Sequence, residues 1–200
     1  LGHSMVRPAY DLSFRLQGIP IFVPYANGGE LADLRGFRPL PKFASIQWDL
    51  FLEINGSDPQ KSRRLDTLLS PGLRTLPGLD PASLAFRNLL RGYRMDLPAG
   101  QTVAKAMGIR PLDKGNDPLW FYILREAAER EKGLKLGPVG ARIVAEVFVG
   151  LLAGDSFSYL SIEPNWEPEF DREGRNFELR DIIRFTGIPL SEDDLNQELF

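Results

Sequence analysis

The chain has 200 residues, of which 43% are hydrophobic and 26% charged, and its formal net charge at pH 7 is −3. This composition excludes intrinsic disorder and is typical of a globular chain with one sizeable core or two small ones. The slight acidic excess and the scattered Lys and Arg argue against a nucleic-acid partner. With no cysteine and one histidine, this chain alone supplies neither a Cys-based zinc site nor a multi-histidine metal cluster.

The chain begins LGHSMVRPAY, a stretch that contains the single histidine, His3. Residues 2–15 place Met5, Tyr10 and Leu12 near helical spacing, which predicts a helix that Pro8 kinks or restarts. No N-cap residue precedes this pattern, so we expect the chain to be a segment of a longer protein. A vector-derived sequence ahead of Met5 is the alternative origin of the first residues.

Two further helices and the turns around them are predicted before residue 84. The stretch GIPIFVPYANGGE at 18–30 predicts a loop or a short extended strand, because it holds two prolines and a Gly-Gly pair. FASIQWDLFLEI at 43–54 predicts a helix that ends at the turn NGSDP. SRRLDTLLSPGL at 62–73 predicts a short helix that Ser-Pro-Gly ends, and Ser83 is the expected N-cap of the next helix.

The second half of the chain reads as a series of helices. SLAFRNLLRGYRMDLPAGQ and TVAKAMG predict two of them, and Asp117 is expected to cap a third that runs from Pro118 to Gly133. In that third helix, Glu126 is expected on a solvated charged face together with Glu129 and Arg130. GPVGARIVAEVFVGLLAGD at 137–155 predicts the most hydrophobic helix, which we expect to be buried and capped by Gly154.

The end of the chain is predicted to hold one more amphipathic helix, FELRDIIRFTG, after a Pro- and Trp-rich loop, and then a loose acidic tail at residues 190–200. No apolar run approaches the length of about 20 residues that spans a bilayer. The predicted fold class is therefore mainly α with little β structure. The 19 Gly and 16 Pro indicate long irregular connections, which favour helices packed around a cofactor over a compact up-and-down bundle.

One helical face carries polar groups among apolar ones. If residues 84–95 are helical, Leu84, Asn88, Arg91 and Met95 share that face. A buried polar group without a hydrogen bond costs about 1–3 kcal/mol, so we expect a partner that offers an N–H group and an anion. Alternatively, Asn88 binds a neighbouring backbone group and Arg91 reaches solvent.

Two motifs resemble the animal-type haem peroxidase superfamily, closest to its bacterial branch. GHSMVRP resembles the family's proximal-helix motif, and RNLLRGYRMDLPAGQ resembles its later Asn, Arg and Leu-Pro motif. His3 and Asn88 are 85 residues apart, which is close to the family's spacing. GPVGARIVAEVFVGLLAGDSFSYL is also similar to a long family helix, and the resemblance weakens after about residue 162. It implies that residues 1–200 form the C-terminal, proximal portion of one multi-helical haem-peroxidase domain.

The resemblance assigns three cofactor-binding residues. It implies that His3 is the axial ligand of the iron of haem b, that Asn88 accepts the proton of the other ring nitrogen, and that Arg91 faces a haem propionate. The implied activity reduces hydrogen peroxide and oxidises a small-molecule or lipid donor, as in a response to oxidative stress. The family's distal His and Arg, its calcium loop and its covalent haem links lie upstream, so this segment holds no catalytic residue and is expected to be inactive alone.

Two alternative functions stay open. The same superfamily contains haem-dependent fatty-acid dioxygenases, so a dioxygenase is the first alternative. The second belongs to a different functional class and is a helical binding domain that holds no haem. If a distal wall is missing, we also expect exposed apolar helix faces and a tendency to aggregate. Trp120, Phe121 and Tyr122 are predicted to lie in the core rather than to contact a cofactor.

Overall fold

A computed structural model describes residues 2–23, 31–36, 39, 41, 43–167 and 177–188. This part of the chain contains seven α-helices and one two-stranded sheet, so the predicted mainly α class is confirmed. The chain divides into two compact units, one of Leu1–Val6 with Ser62–Trp166 and the other of Arg7–Lys61 with Glu167–Phe200. None of the described helices has the length and apolar character needed to cross a membrane.

The first unit holds six of the helices. Their bounds are Pro71–Arg74 (α1), Leu84–Arg94 (α2), Gly100–Ala106 (α3), Leu119–Glu131 (α4), Pro138–Gly154 (α5) and Tyr159–Ile162 (α6). The prediction of Ser83 as an N-cap is confirmed, since its side chain accepts a hydrogen bond from the Phe86 N–H at 3.3 Å. These bounds also show that α2 to α5 follow the predicted order.

The core of this unit lies where α3, α4 and α5 meet. Ala104, Tyr122, Ile123 and Val139 are buried there, which confirms the core position expected for Tyr122. Gly100 opens α3 directly against Tyr122, and a Cβ atom at Gly100 would lie 2.1 Å from the Tyr122 Cβ. The first turn of α3 therefore requires glycine.

Two predicted boundaries in this unit are wrong. Residues 62–70 form no helix, and Ser70-Pro71 begins α1 instead of ending a helix, because proline is favoured in the first turn where its missing N–H is not needed. The N-cap of α4 is Pro118, not Asp117. The Asp117 carboxylate instead binds the Arg125 guanidinium at 2.5 Å.

The most hydrophobic helix, α5, is not the buried helix that its composition predicts. Only Val139 and Gly140 in its first turn are buried, while residues 145–154 are all exposed. Phe148 and Leu151 keep 64% and 66% of their surface in water. The helix also ends at Gly154 with Asp155 as its C-cap, so Gly154 is not the cap. The expectation of exposed apolar helix faces is confirmed.

The second unit contains the only sheet of the described residues and the last helix. Strands Ala9–Tyr10 (β1) and Ile19–Pro20 (β2) pair antiparallel. Helix Leu179–Thr186 (α7) lies where the last amphipathic helix is predicted, buries Ile183 and ends at Gly187, which has the left-handed conformation. The predicted acidic tail at 190–200 lies outside the described residues.

Two helices predicted near the N-terminal end are wrong. In place of a helix over residues 2–15, Gly2–Met5 forms one 3₁₀ turn and the chain is extended by Ala9, because Pro8 disfavours helix at the residue before it. In place of a helix over 43–54, only Trp48–Leu50 is helical. Gln47 is held extended because its N–H donates to the Leu12 carbonyl at 2.8 Å.

Candidate functional site

The face of α2 that the sequence singles out lines a cavity. Leu84, Asn88, Arg91 and Met95 all border a space of about 790 Å³, so the prediction that they share one face is confirmed. The remaining lining residues are Asp80, Pro81, Arg87, Leu90 and Arg94. Helix α2 packs against α1 and α4, and none of its residues is buried.

Asn88 is the unsatisfied polar group of this cavity. Its Nδ2 atom is buried and has no hydrogen-bond partner among the described residues. Leaving such a group unpaired costs about 1–3 kcal/mol. No hydrogen bond from the Asn88 side chain to a neighbouring backbone group is found among the described residues, so the Asn88 half of the alternative is wrong. A ligand that fills the cavity can supply the missing partner.

Arg91 is exposed at the same cavity and forms no ion pair with any other described residue, so the alternative that Arg91 reaches solvent is confirmed. Arg87 and Arg94 line the cavity with it and are likewise exposed and unpaired in the described part of the chain. The three guanidinium groups give the lining a positive charge that only Asp80 opposes. The site therefore favours an anionic ligand.

A smaller cavity of about 270 Å³ also borders α2 and shares Asn88 with the first. Tyr93 and Trp120 belong to its lining, and Tyr93 keeps 84% of its surface exposed. Trp120 is half-buried, so its predicted core position is met only in part. Asn88 is thus the one residue that the two cavities have in common.

His3 lies in the 3₁₀ turn Gly2–Met5 with its side chain exposed. Although His3 is exposed overall, partial desolvation of its imidazole lowers the pKa of the ring below the usual 6.5. The ring is therefore mainly neutral at pH 7, which is the form that ligates a metal ion. Its neighbour Ser4 is buried.

Hydrogen bonds from residues 62–70 hold the segment that carries His3. The Arg63 N–H donates to the Met5 carbonyl at 2.9 Å, and the buried Ser70 hydroxyl donates to the Val6 carbonyl. The Leu65 N–H in turn donates to the Gly133 carbonyl at 2.8 Å, just past α4. The His3 turn is therefore linked through this segment to the helix against which α2 packs.

No hydrogen bond joins His3 to Asn88 in the described part of the chain, and His3 is not among the residues that line the cavity. The structure thus brings Asn88 and Arg91 together and leaves His3 outside that lining. The contact between His3 and Asn88 implied by the resemblance stays a prediction.

The solvated position predicted for Glu126 is wrong. Glu126 is fully buried rather than solvated, and its carboxylate accepts hydrogen bonds from the backbone N–H groups of Val139 at 2.9 Å and Gly140 at 3.4 Å. Arg130 binds the other carboxylate oxygen at 3.2 Å. The Glu126 carboxylate thus satisfies the free N–H groups at the start of α5.

A second polar cluster, which sequence analysis did not find, fixes the loop ahead of α4. The amide nitrogen of buried Gln101 donates to Asp113 at 2.9 Å and to Asp117 at 3.0 Å. Arg125 binds both carboxylates as well as Glu129. Hydrogen bonds from the Gly115 N–H, Gln101 and Arg125 lower the pKa of Asp113 to about 2. This cluster positions Asp117 and its neighbours at the smaller cavity.

The chain matches no protein-family model, no curated protein and no solved structure in comparisons with each. The α2 face and the sequence motifs are therefore the features that bear on function.

Proposed function

We propose that the chain is the proximal portion of a haem-dependent peroxidase, which reduces hydrogen peroxide and oxidises a donor. The observation that carries the proposal is the unpaired, buried Nδ2 of Asn88 in a cavity that Arg91 also lines. These two side chains are the ones that the peroxidase resemblance assigns to the haem pocket. The proposal therefore has support from the motif and, independently, from the unsatisfied chemistry of the site.

The cavity lining suits the macrocycle and a propionate of haem, whereas the axial ligand would have to come from His3, which lies outside that lining. The cavity has apolar walls from Leu84, Leu90 and Met95 for the macrocycle, and Arg91 offers a guanidinium for a propionate. The exposed His3 imidazole, with its lowered pKa, is available as an axial ligand. When bound, haem supplies the iron that exchanges electrons with peroxide and donor.

The protein's own part in the reaction is to bind and orient. His3 would hold the cofactor through one ring nitrogen, and the Asn88 amide would fix the proton on the other ring nitrogen. A 180° rotation of that amide presents Oδ1 as the acceptor in place of the unpaired Nδ2. Keeping the ring proton in place makes the imidazole a stronger electron donor.

The test is the visible absorption spectrum of the protein with added haem, compared between wild type, His3→Ala and Met5→Leu. Met5 is exposed in the same 3₁₀ turn and is the matched control, because its thioether is also able to ligate iron. We expect a Soret band in the wild type that shifts in His3→Ala and is unchanged in Met5→Leu. Addition of imidazole to His3→Ala should restore the wild-type position of the band. A His3→Ala spectrum identical to wild type would contradict the proposal.

The same experiment separates the remaining alternatives. A folded wild-type protein that binds no haem would support the helical binding domain. A haem protein that oxygenates a fatty acid with O₂, and does not turn over peroxide with a donor, would support the dioxygenase.

A further inference from the structure

The smaller cavity beside α2 differs in charge from the larger one. Among the described residues of its lining, Asp117 is the only charged one. Its carboxylate already binds the Arg125 guanidinium at 2.5 Å and the Gln101 amide at 3.0 Å. An ion placed in this cavity would lose its hydration without gaining an opposite charge. The cavity therefore favours a neutral ligand.

The walls and the volume of this cavity suit a single aromatic ring. Tyr93 and Trp120 contribute ring surface, and aliphatic side chains come from Leu89, Leu97 and Leu119. Aromatic rings pack favourably on one another in offset or edge-on arrangements. The volume of about 270 Å³ lies below the range of about 300–1,000 Å³ for drug-sized ligands, whereas an apolar cavity of about 150 Å³ already holds benzene. One ring with a small substituent therefore fits.

Gly92 keeps part of this space open. It lies within α2 and lines the cavity, at a position where glycine lowers the stability of the helix relative to alanine. A Cβ atom at this position would meet only the Leu97 Cδ1 atom, at an ordinary contact distance of 3.8 Å. Since packing does not require this glycine, the room that it leaves in the cavity is its evident effect.

Asn88 supplies the polar group that needs a partner at this cavity. Its Nδ2 atom is buried and unpaired among the described residues, and Asn88 belongs to the lining. In the proposed function the Oδ1 atom of this amide serves His3, and Nδ2 keeps two N–H groups that need acceptors of their own. A ligand in the smaller cavity can provide an acceptor whether or not haem is bound.

We infer that the smaller cavity binds a small neutral aromatic molecule that carries one hydrogen-bond acceptor, such as an aromatic ketone. The ring packs against Tyr93 and Trp120, and the acceptor receives an N–H of Asn88 Nδ2. The ligand is neutral because the one charged group of the lining, Asp117, is already paired. The inference goes beyond the proposed function and does not depend on haem.

The test compares three probes of nearly the same shape. Acetophenone carries the acceptor, ethylbenzene lacks it, and benzoate carries a negative charge. Dissociation constants are measured by NMR titration of the protein without added haem, from the shift of the Trp120 indole N–H signal, which reports on this cavity. We expect acetophenone to bind about tenfold more tightly than either of the others, because it alone pairs the buried donor without bringing a charge.

Two pairs of variants locate the site. Asn88→Leu removes the donor at similar volume and should abolish the preference for acetophenone over ethylbenzene. Asn116→Leu, which changes an exposed amide of the same lining, is its control and should keep the preference. Gly92→Leu fills the cavity and should weaken binding of both neutral probes about tenfold or more. Its control is Gly150→Leu in α5, where a Cβ atom meets nothing within 4 Å.

The outcomes separate this inference from the proposed function. Equal binding of acetophenone and ethylbenzene by the wild type would overturn the inference, and this comparison needs no variant, so a folding defect cannot decide it. Tighter binding of benzoate, or a ketone preference that survives Asn88→Leu, would overturn it as well. None of these measurements involves iron or His3. A haem spectrum insensitive to His3, with the ketone preference intact, would defeat the proposed function alone.

Discussion

The buried carboxylate of Glu126 in α4 accepts a hydrogen bond from the backbone N–H of Val139 at the start of α5, at 2.9 Å. Glu126→Ala removes this acceptor and leaves Arg130 without its carboxylate. We expect the free energy of unfolding to fall by about 2–4 kcal/mol, measured by urea denaturation. Glu129→Gln on the exposed side of α4 is the control and should cost less than about 1 kcal/mol. Equal losses in the two variants would contradict the capping role.

The close approach of Gly100 to Tyr122 predicts a steric effect. Gly100→Ala places a Cβ atom 2.1 Å from the Tyr122 Cβ, so α3 or α4 must shift. We expect a loss of about 1–3 kcal/mol in the free energy of unfolding. Gly150→Ala in α5 meets no atom within 4 Å and should stabilise the helix by about 0.5–1 kcal/mol. A thermal melt of both variants checks the opposite signs.

The lowered pKa of Asp113 predicts an acid dependence of stability. The pKa of this carboxyl falls from 3.8 to about 2 in the folded protein, chiefly through the Gly115 N–H, then Gln101 and Arg125. The ionised form therefore stabilises the fold, and this contribution is complete well above about pH 4 and is lost as the pH falls toward about 2.

Urea denaturation between pH 7 and pH 2 measures this dependence. Asp113→Asn should lose less stability than wild type on acidification, because it lacks the group whose protonation weakens the cluster. Asp96→Asn removes an exposed carboxylate with no partner among the described residues and should follow the wild-type curve. Parallel curves for wild type and Asp113→Asn would refute the prediction.

The exposed apolar surface of α5 predicts self-association. Phe148 and Leu151 lie on one side of the helix and are 64% and 66% exposed. Phe148→Ser/Leu151→Ser should reduce concentration-dependent association in size-exclusion chromatography, with little loss of stability because neither side chain is buried. Leu134→Ser is the control, since Leu134 is 75% exposed outside the helices. A wild-type protein that stays monomeric at all concentrations would contradict self-association through this surface.

Part of the candidate site could be predicted because it depends on local spacing. The helical period alone puts Asn88 and Arg91 on one face of α2, and Ser83 caps that helix through a residue three positions away. The same period could have drawn attention to Arg87 and Arg94. The sequence could not show that Arg87 and Arg94 lack acidic partners, because the fold decides which carboxylates lie close to them.

Local sequence patterns are enough to predict the mainly α class, the order of α2 to α5, and the presence of α7. These features depend on residues within a few positions of one another. The tertiary structure alone decided that Gln47 is extended and that Glu126 is buried. It also decided that most of α5 is exposed. Each of these features depends on whether a residue far along the chain packs against or binds the segment. Hydrophobic periodicity carries no information about such distant contacts.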